Sequence, residues 1–146
     1  MAHFVDSLQL HLHPMVVHFP IALFISALGL EILSLILRKE NLHQTALHLY
    51  LMAAVLSPLV VLTGLREEDR LQFHHPVLEI HERFALLTMW GSLASLPILG
   101  LVKRKVPSRF RLIFVLFALL MVTIISITAY NGGRLVYEYG AGVEEP

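Results

Sequence analysis

The chain has no cysteine. This excludes disulfides, thiolate-held zinc, iron–sulfur clusters and covalent haem attachment through a Cys-x-x-Cys-His step, so any bound metal has to be held by histidine, carboxylate or carbonyl oxygen. Charge is scarce as well: 15% of the 146 residues are Asp, Glu, Lys or Arg, against 56% hydrophobic. With a mean hydropathy of +0.70 the sequence is too apolar for a soluble domain, and it offers no basic surface to a nucleic acid. No Lys or Arg precedes the first apolar run and no small-residue cleavage site is evident, so the N-terminus does not read as a removed signal peptide.

What is present is apolar length. A hydrocarbon core of about 30 Å needs roughly 20 helical residues, and Pro14 to Leu37, Thr45 to Leu65, Arg83 to Val102 and Phe110 to Tyr130 each supply that. Their short connections predict an all-α membrane protein: a four-transmembrane-helix antiparallel bundle forming one domain over residues 1–146. Arg38 and Lys39 fall in the first loop and Lys103, Arg104, Lys105, Arg109 and Arg111 in the third, whereas the other side carries Arg66, Arg70, Arg83 and Arg134 among nine acidic side chains. The positive-inside rule then predicts that both of these loops face the cytoplasm and that both termini face the outer side. The acidic outer rim would steer a basic partner, or is simply a solvated surface.

Nine histidines are concentrated in two places. "HLHPMVVHFP" (11–20) and "HHPVLEIHE" (74–82) each join a His-Pro step to a further histidine and an apolar run. Overlaying the halves pairs His13-Pro14 with His75-Pro76, His18 with His81, and Thr63-Gly64 with Asn131-Gly132-Gly133, which reads as two similar helical hairpins. On this register His18 and His81 lie about 6 and 7.5 Å into helices one and three, at 1.5 Å per residue.

Ionisable groups inside spanning helices are costly and face the bundle interior, so each is a functional candidate. Three readings compete. In the first, His18 and His81 are the axial ligands of one non-covalent b haem, with Gly64, Gly132, Gly133, Gly91 and Ser92 leaving room for the porphyrin and Arg83 and Arg134 meeting its propionates. In the second, His13, His74 and His75 join His18 and His81 around bare copper or zinc, with Glu79 or Glu82 completing the shell. In the third, the rings bond interhelical carbonyls or reach the headgroups in a scaffold subunit. No second facing pair of histidines is evident, so a second bis-histidine haem is not expected.

Other features take plainer readings. His3 and His11 belong to a weakly amphipathic interfacial stretch, His43 falls in the first loop, and His48 is expected to pair with Glu31. Pro20, Pro58 and Pro97 bend spanning helices, and Gly91 with Ser95 permits close helix approach. The tail 131–146 is expected to leave the membrane through a Gly-Gly break and fold back as an amphipathic lid, bringing Tyr130 or Tyr137 to the cofactor.

"HPMVVHFPIALF" in the first helix, Thr63-Gly64 closing the second, the histidine-bearing start of the third and "GGRLVYEYGAGV" after the fourth resemble a bacterial domain-of-unknown-function family of small membrane proteins. The resemblance covers nearly the whole chain. It implies a four-helix inner-membrane protein, in some relatives joined to periplasmic cytochrome-like domains. The family label carries no established reaction; the residues themselves favour a membrane cytochrome, an electron-transfer protein or subunit more than a stand-alone enzyme. It would work between the quinone pool or a membrane oxidoreductase and a periplasmic carrier, such as a cytochrome, or within a larger respiratory complex. The competing class is a non-redox structural or assembly subunit. Quinone binding at the outer mouth and a homodimer are compatible with either.

Overall fold

The computed structural model describes residues 12–71, 74–102 and 108–143. They form four helices: α1 (Leu12–Leu37), α2 (Glu40–Leu71), α3 (Pro76–Val102) and α4 (Ser108–Tyr137). By length and composition α1, α2 and α4 suffice to cross a membrane. α3 is less apolar, with Glu79, His81, Glu82 and Arg83 in its first two turns. His3, His11, the Lys103–Lys105 loop, Glu144 and Glu145 lie outside the described residues.

The helices run beyond the apolar stretches that mark them in the sequence, because their polar ends still close backbone hydrogen bonds. α2 begins at Glu40, which puts His43 in a helix and corrects its placement in a loop. Pro76 opens α3 where its missing N–H has no helical partner to lose, and the His75 ring caps that end by accepting from the Val77 N–H at 3.2 Å. α1 turns into α2 within two residues: Arg38 takes the left-handed conformation (φ 54°), and the Ser34 hydroxyl donates across the turn to the Lys39 carbonyl at 2.7 Å.

α4 contains the largest departure from expectation. The helix does not break at Gly132-Gly133 but continues to Tyr137. It stops at Gly140 (φ 66°), where the Ala141 N–H reaches back to the Leu135 carbonyl at 2.8 Å in the manner of a glycine-capped helix end. The short remainder turns over the end of α2: the Tyr139 ring packs 4.0 Å from that of His75, and a β-carbon at Gly142 would touch Leu71.

Packing is a closed square. α1 packs mainly on α2 and α3 mainly on α4, while α1 with α4 and α2 with α3 complete the ring and the diagonal pairs barely touch. The core recurs every seven residues along α2, at His43, Tyr50 and Ser57, as in left-handed bundles. Alanines line much of it, including Ala27, Ala46, Ala53, Ala54 and Ala118, and let the helices approach closely. At mid-height Tyr50 is fully buried against Phe24 and Phe114, ring centres 5.1 and 5.6 Å away, and its hydroxyl meets Ser95 Oγ at 3.1 Å. The outward faces carry exposed Ile25, Ile36, Met52, Leu59 and Leu116, as contact with lipid tails requires.

Candidate functional site

α1 and α3 start at one end of the square, α2 and α4 finish there, and two histidines face each other across its diagonal. The rings of His13 on α1 and His81 on α3 have centroids 6.4 Å apart and planes at 89°. Each ring is held by the next helix of its own hairpin. His13 Nδ1–H donates to the Val60 carbonyl at 3.2 Å and to Thr63 Oγ1 at 3.1 Å, and His81 Nδ1–H donates to the Thr128 carbonyl at 2.8 Å. Backbone carbonyls accept only, so both rings carry the proton on Nδ1. Among the described residues, no hydrogen bond is made to either Nε2, and each is left as a lone-pair donor to a ligand.

Glycine makes each arrangement possible. A β-carbon at Gly64 would stand 3.0 Å from Cε1 of His13, and one at Gly132 would stand 3.0 Å from Cε1 of His81. Both histidine-to-carbonyl bonds span 47 residues, and in both the carbonyl lies one helical turn before the glycine. His13, Val60, Thr63 and Gly64 therefore match His81, Thr128, Asn131 and Gly132 at one constant shift of 68 residues. Buried positions follow the same shift: Pro20, Phe24 and Ala27 correspond to Thr88, Ser92 and Ser95, and Tyr50, Ala53 and Ser57 to Ala118, Met121 and Ile125. The two hairpins are alike, but in a register that pairs His13, and not His18, with His81.

The structure does not bring His18 to the diagonal. Its ring is exposed and bonds the Pro14 carbonyl of its own helix at 2.6 Å. Five residues at 3.6 per turn put His13 and His18 about 140° apart around α1, so only one of them points inward. His74 is exposed, and His75 is half-buried against Tyr139. Gly133 has nothing within 4 Å of its β-carbon position, and Gly91 packs on Met121, ten residues along α3 from His81. Arg83 is exposed, 3.9 Å from Glu79. Arg134 bonds Glu138 at 2.9 Å and the Tyr139 hydroxyl at 3.0 Å, with its guanidinium over the rings of Tyr130 and Tyr139. Tyr130 is otherwise exposed, as is Tyr137. Among the described residues, no group of three or more His, Asp or Glu side chains is placed to hold a metal.

A second polar cluster fills the opposite end, where the hairpins turn. Glu31 is fully buried, with one carboxylate oxygen taken by His43 Nδ1–H at 2.6 Å and the other by Arg111 Nε–H at 3.1 Å. Arg111 also donates to Ser34 Oγ and lies 3.8 Å from Glu40. His48, the expected partner of Glu31, is exposed and bonds the Gln44 carbonyl of its own helix. The seven-residue spacing of the α2 core stripe selects His43, Tyr50 and Ser57 and leaves His48 outside it. Arg111, counted with the basic loop in the sequence, is thus a core residue.

Residues 9–145 match the model of a family described as "Predicted membrane protein (DUF2231)". No curated protein and no solved structure matches the chain. With the match running from just before α1 to beyond the cap of α4, this chain belongs to the DUF2231 family of membrane proteins.

Proposed function

We propose that the chain is a membrane cytochrome that holds one b haem between His13 and His81 and passes single electrons. The observation that carries this reading is a diagonal pair of imidazoles, each fixed through Nδ1 with Nε2 free and, among the described residues, with no third side-chain ligand beside them. Bare zinc takes three or four protein ligands, which the described residues do not supply. Haem iron brings four equatorial nitrogens of its own and asks the protein for two axial ones.

The spacing supports the same reading. A metal–imidazole bond is about 2 Å long and a ring nitrogen lies about 1 Å from its ring centre, so two axial rings stand roughly 6 Å apart centre to centre. The observed 6.4 Å suits that arrangement. The carbonyls of Val60 and Thr128, each holding an Nδ1–H, would fix the tautomer and raise the basicity of the liganding nitrogen. Arg134, already paired with the carboxylate of Glu138, is a cation at this end that would suit a propionate.

The loop charges favour placing the histidine end at the periplasmic face of the inner membrane. The haem would then exchange electrons between the quinone pool or a membrane oxidoreductase and a periplasmic carrier. The test is a reduced-minus-oxidised visible spectrum of the detergent-purified protein, with a pyridine haemochrome assay on the same sample. A sharp α band with one b haem per chain is expected. Stoichiometric copper or zinc without colour would replace this reading with a bare metal site, and a colourless, metal-free protein would replace it with a structural or assembly subunit.

A further inference from the structure

Electron transfer at the histidine end makes no use of the buried ionisable cluster at the other end. Glu31 comes from α1, His43 from α2 and Arg111 from α4. The duplication makes this cluster conspicuous. The halves agree at the histidine end, residue for residue in the two His–Gly contacts, but here they diverge: Arg111 occupies the position matching His43, and Leu99 the position matching Glu31. A buried ion pair recovers its desolvation cost only in part, and apolar side chains of similar volume pack at least as stably. Cohesion alone therefore gives little physical reason for three ionisable groups in this place.

Their chemistry suits proton binding. Glu31 accepts the Nδ1–H of His43, and the hydrogen bonds of His43 among the described residues use Nδ1 alone. The Nε2 lone pair is left for a proton, and the carboxylate behind the ring stabilises the imidazolium that forms. Among the described residues, the charged groups facing His43 are Glu31 on α1 and Arg111 on α4, with Glu40 on α2 behind Arg111. The end of α3, "ILGLV" (98–102), contributes no ionisable residue. Glu31 and Arg111 nearly cancel, so the ring gains its charge beside a neutral pair.

A polar column leads from this cluster toward the histidine end. On α2, seven-residue steps lead from His43 to Tyr50 and Ser57, and on α3 the same steps lead from Ser95 to Thr88 and His81. Tyr50 and Ser95 join the two halfway at 3.1 Å. Ser57, Thr88 and Ser95 each donate to a carbonyl of their own helix, so the column is a line of buried dipoles between the two ends, joined across helices at Tyr50–Ser95.

We propose that Nε2 of His43 is a redox-linked proton site, filled from the aqueous phase at the hairpin end when the centre between His13 and His81 gains an electron. This rests on the haem reading. Reduction of a haem held there, by one electron from a quinol or an added reductant, would be balanced by one proton from water, which converts the His43 imidazole to imidazolium. The added negative charge in a low-dielectric bundle favours the added positive one, so protonation and reduction assist each other. The midpoint potential consequently falls as pH rises.

The test is a redox titration of the haem-loaded protein across about pH 5 to 9. The wild type is expected to show a falling midpoint, His43→Gln and Glu31→Gln a flattened one, and His48→Gln, which alters an exposed ring of the same helix, the wild-type slope. Should the cluster variants fail to fold, ring-15N spectra of the wild-type protein poised oxidised and then reduced read the protonation of His43 directly, with proton gain on reduction expected. A flat wild-type midpoint with haem bound, or an unaltered slope in His43→Gln, overturns the proton site and leaves the haem reading standing. A protein that binds no haem overturns both.

Discussion

Gly64 and His13 meet so closely that a β-carbon at position 64 would stand 3.0 Å from Cε1 of the ring, and Gly132 meets His81 at the same distance. A neighbour at that range has to shift, and both rings are tethered by Nδ1 to a carbonyl one turn away. Gly64→Ala and Gly132→Ala are therefore each expected to displace a ring. Overpacking of this kind costs about 1–3 kcal/mol, and both variants should retain less haem per chain. Gly133→Ala, at a position with open space, should match the wild type. Haem-to-protein ratio and thermal unfolding in detergent are the measurements; equal loss in all three variants would remove the steric argument.

The diagonal pair sets a second expectation. His13→Ala and His81→Ala should each abolish haem retention, while His18→Ala, His74→Ala and His75→Ala leave a b-type spectrum. Retained haem in His13→Ala together with loss in His18→Ala would return the axial ligand to the residue that sequence depth alone favours.

Depth along a helix was legible in the sequence, and azimuth was legible only in part. Apolar length marks four helices, and loop charge separates their two ends. Counting residues from the His-Pro steps assigns His18 and His81 similar depths, and nothing in that count registers that His18 lies about 140° around α1 from the core-facing His13. The shift of 68 residues was present in the sequence but obscured by the more conspicuous His-Pro dipeptides, which align the halves differently. Gly132-Gly133 was misread as a helix end because glycine is favoured there. Here the first of the pair has another use, admitting an imidazole. The Val60 and Thr128 carbonyls carry no side-chain signal at all. Glu31 was recognisable as a buried group needing a partner, and the heptad spacing of α2 identifies that partner as His43.

Tyr50 tests the mid-bundle rung separately from both ends. Tyr50→Phe removes the hydroxyl that meets Ser95 Oγ and keeps the ring packed on Phe24 and Phe114. Ser95 still donates to the Ser92 carbonyl, so no buried hydroxyl is stranded. The loss should be about 1 kcal/mol, the net worth of one ordinary hydrogen bond, with full haem content. A loss several times larger would mean that the rung organises more of the core than the two side chains it joins.

The cluster at the hairpin end separates cohesion from chemistry. Among the described residues, Arg111→Met leaves the buried Glu31 carboxylate with His43 as its one ionisable partner, and breaking a buried pair from one side costs about 3–5 kcal/mol. Replacing the whole set, Glu31→Leu with His43→Phe and Arg111→Met, removes every group that would be left unpaired, so thermal stability should return to near the wild-type value or exceed it. This triple variant should still bind haem, because the histidine end lies at the far end of the same helices. If its midpoint potential no longer varies with pH, the cluster contributes proton binding that apolar packing cannot replace. If the slope persists in a stable, haem-loaded triple variant, the proton resides elsewhere and the cluster serves only to fix how the two hairpins join.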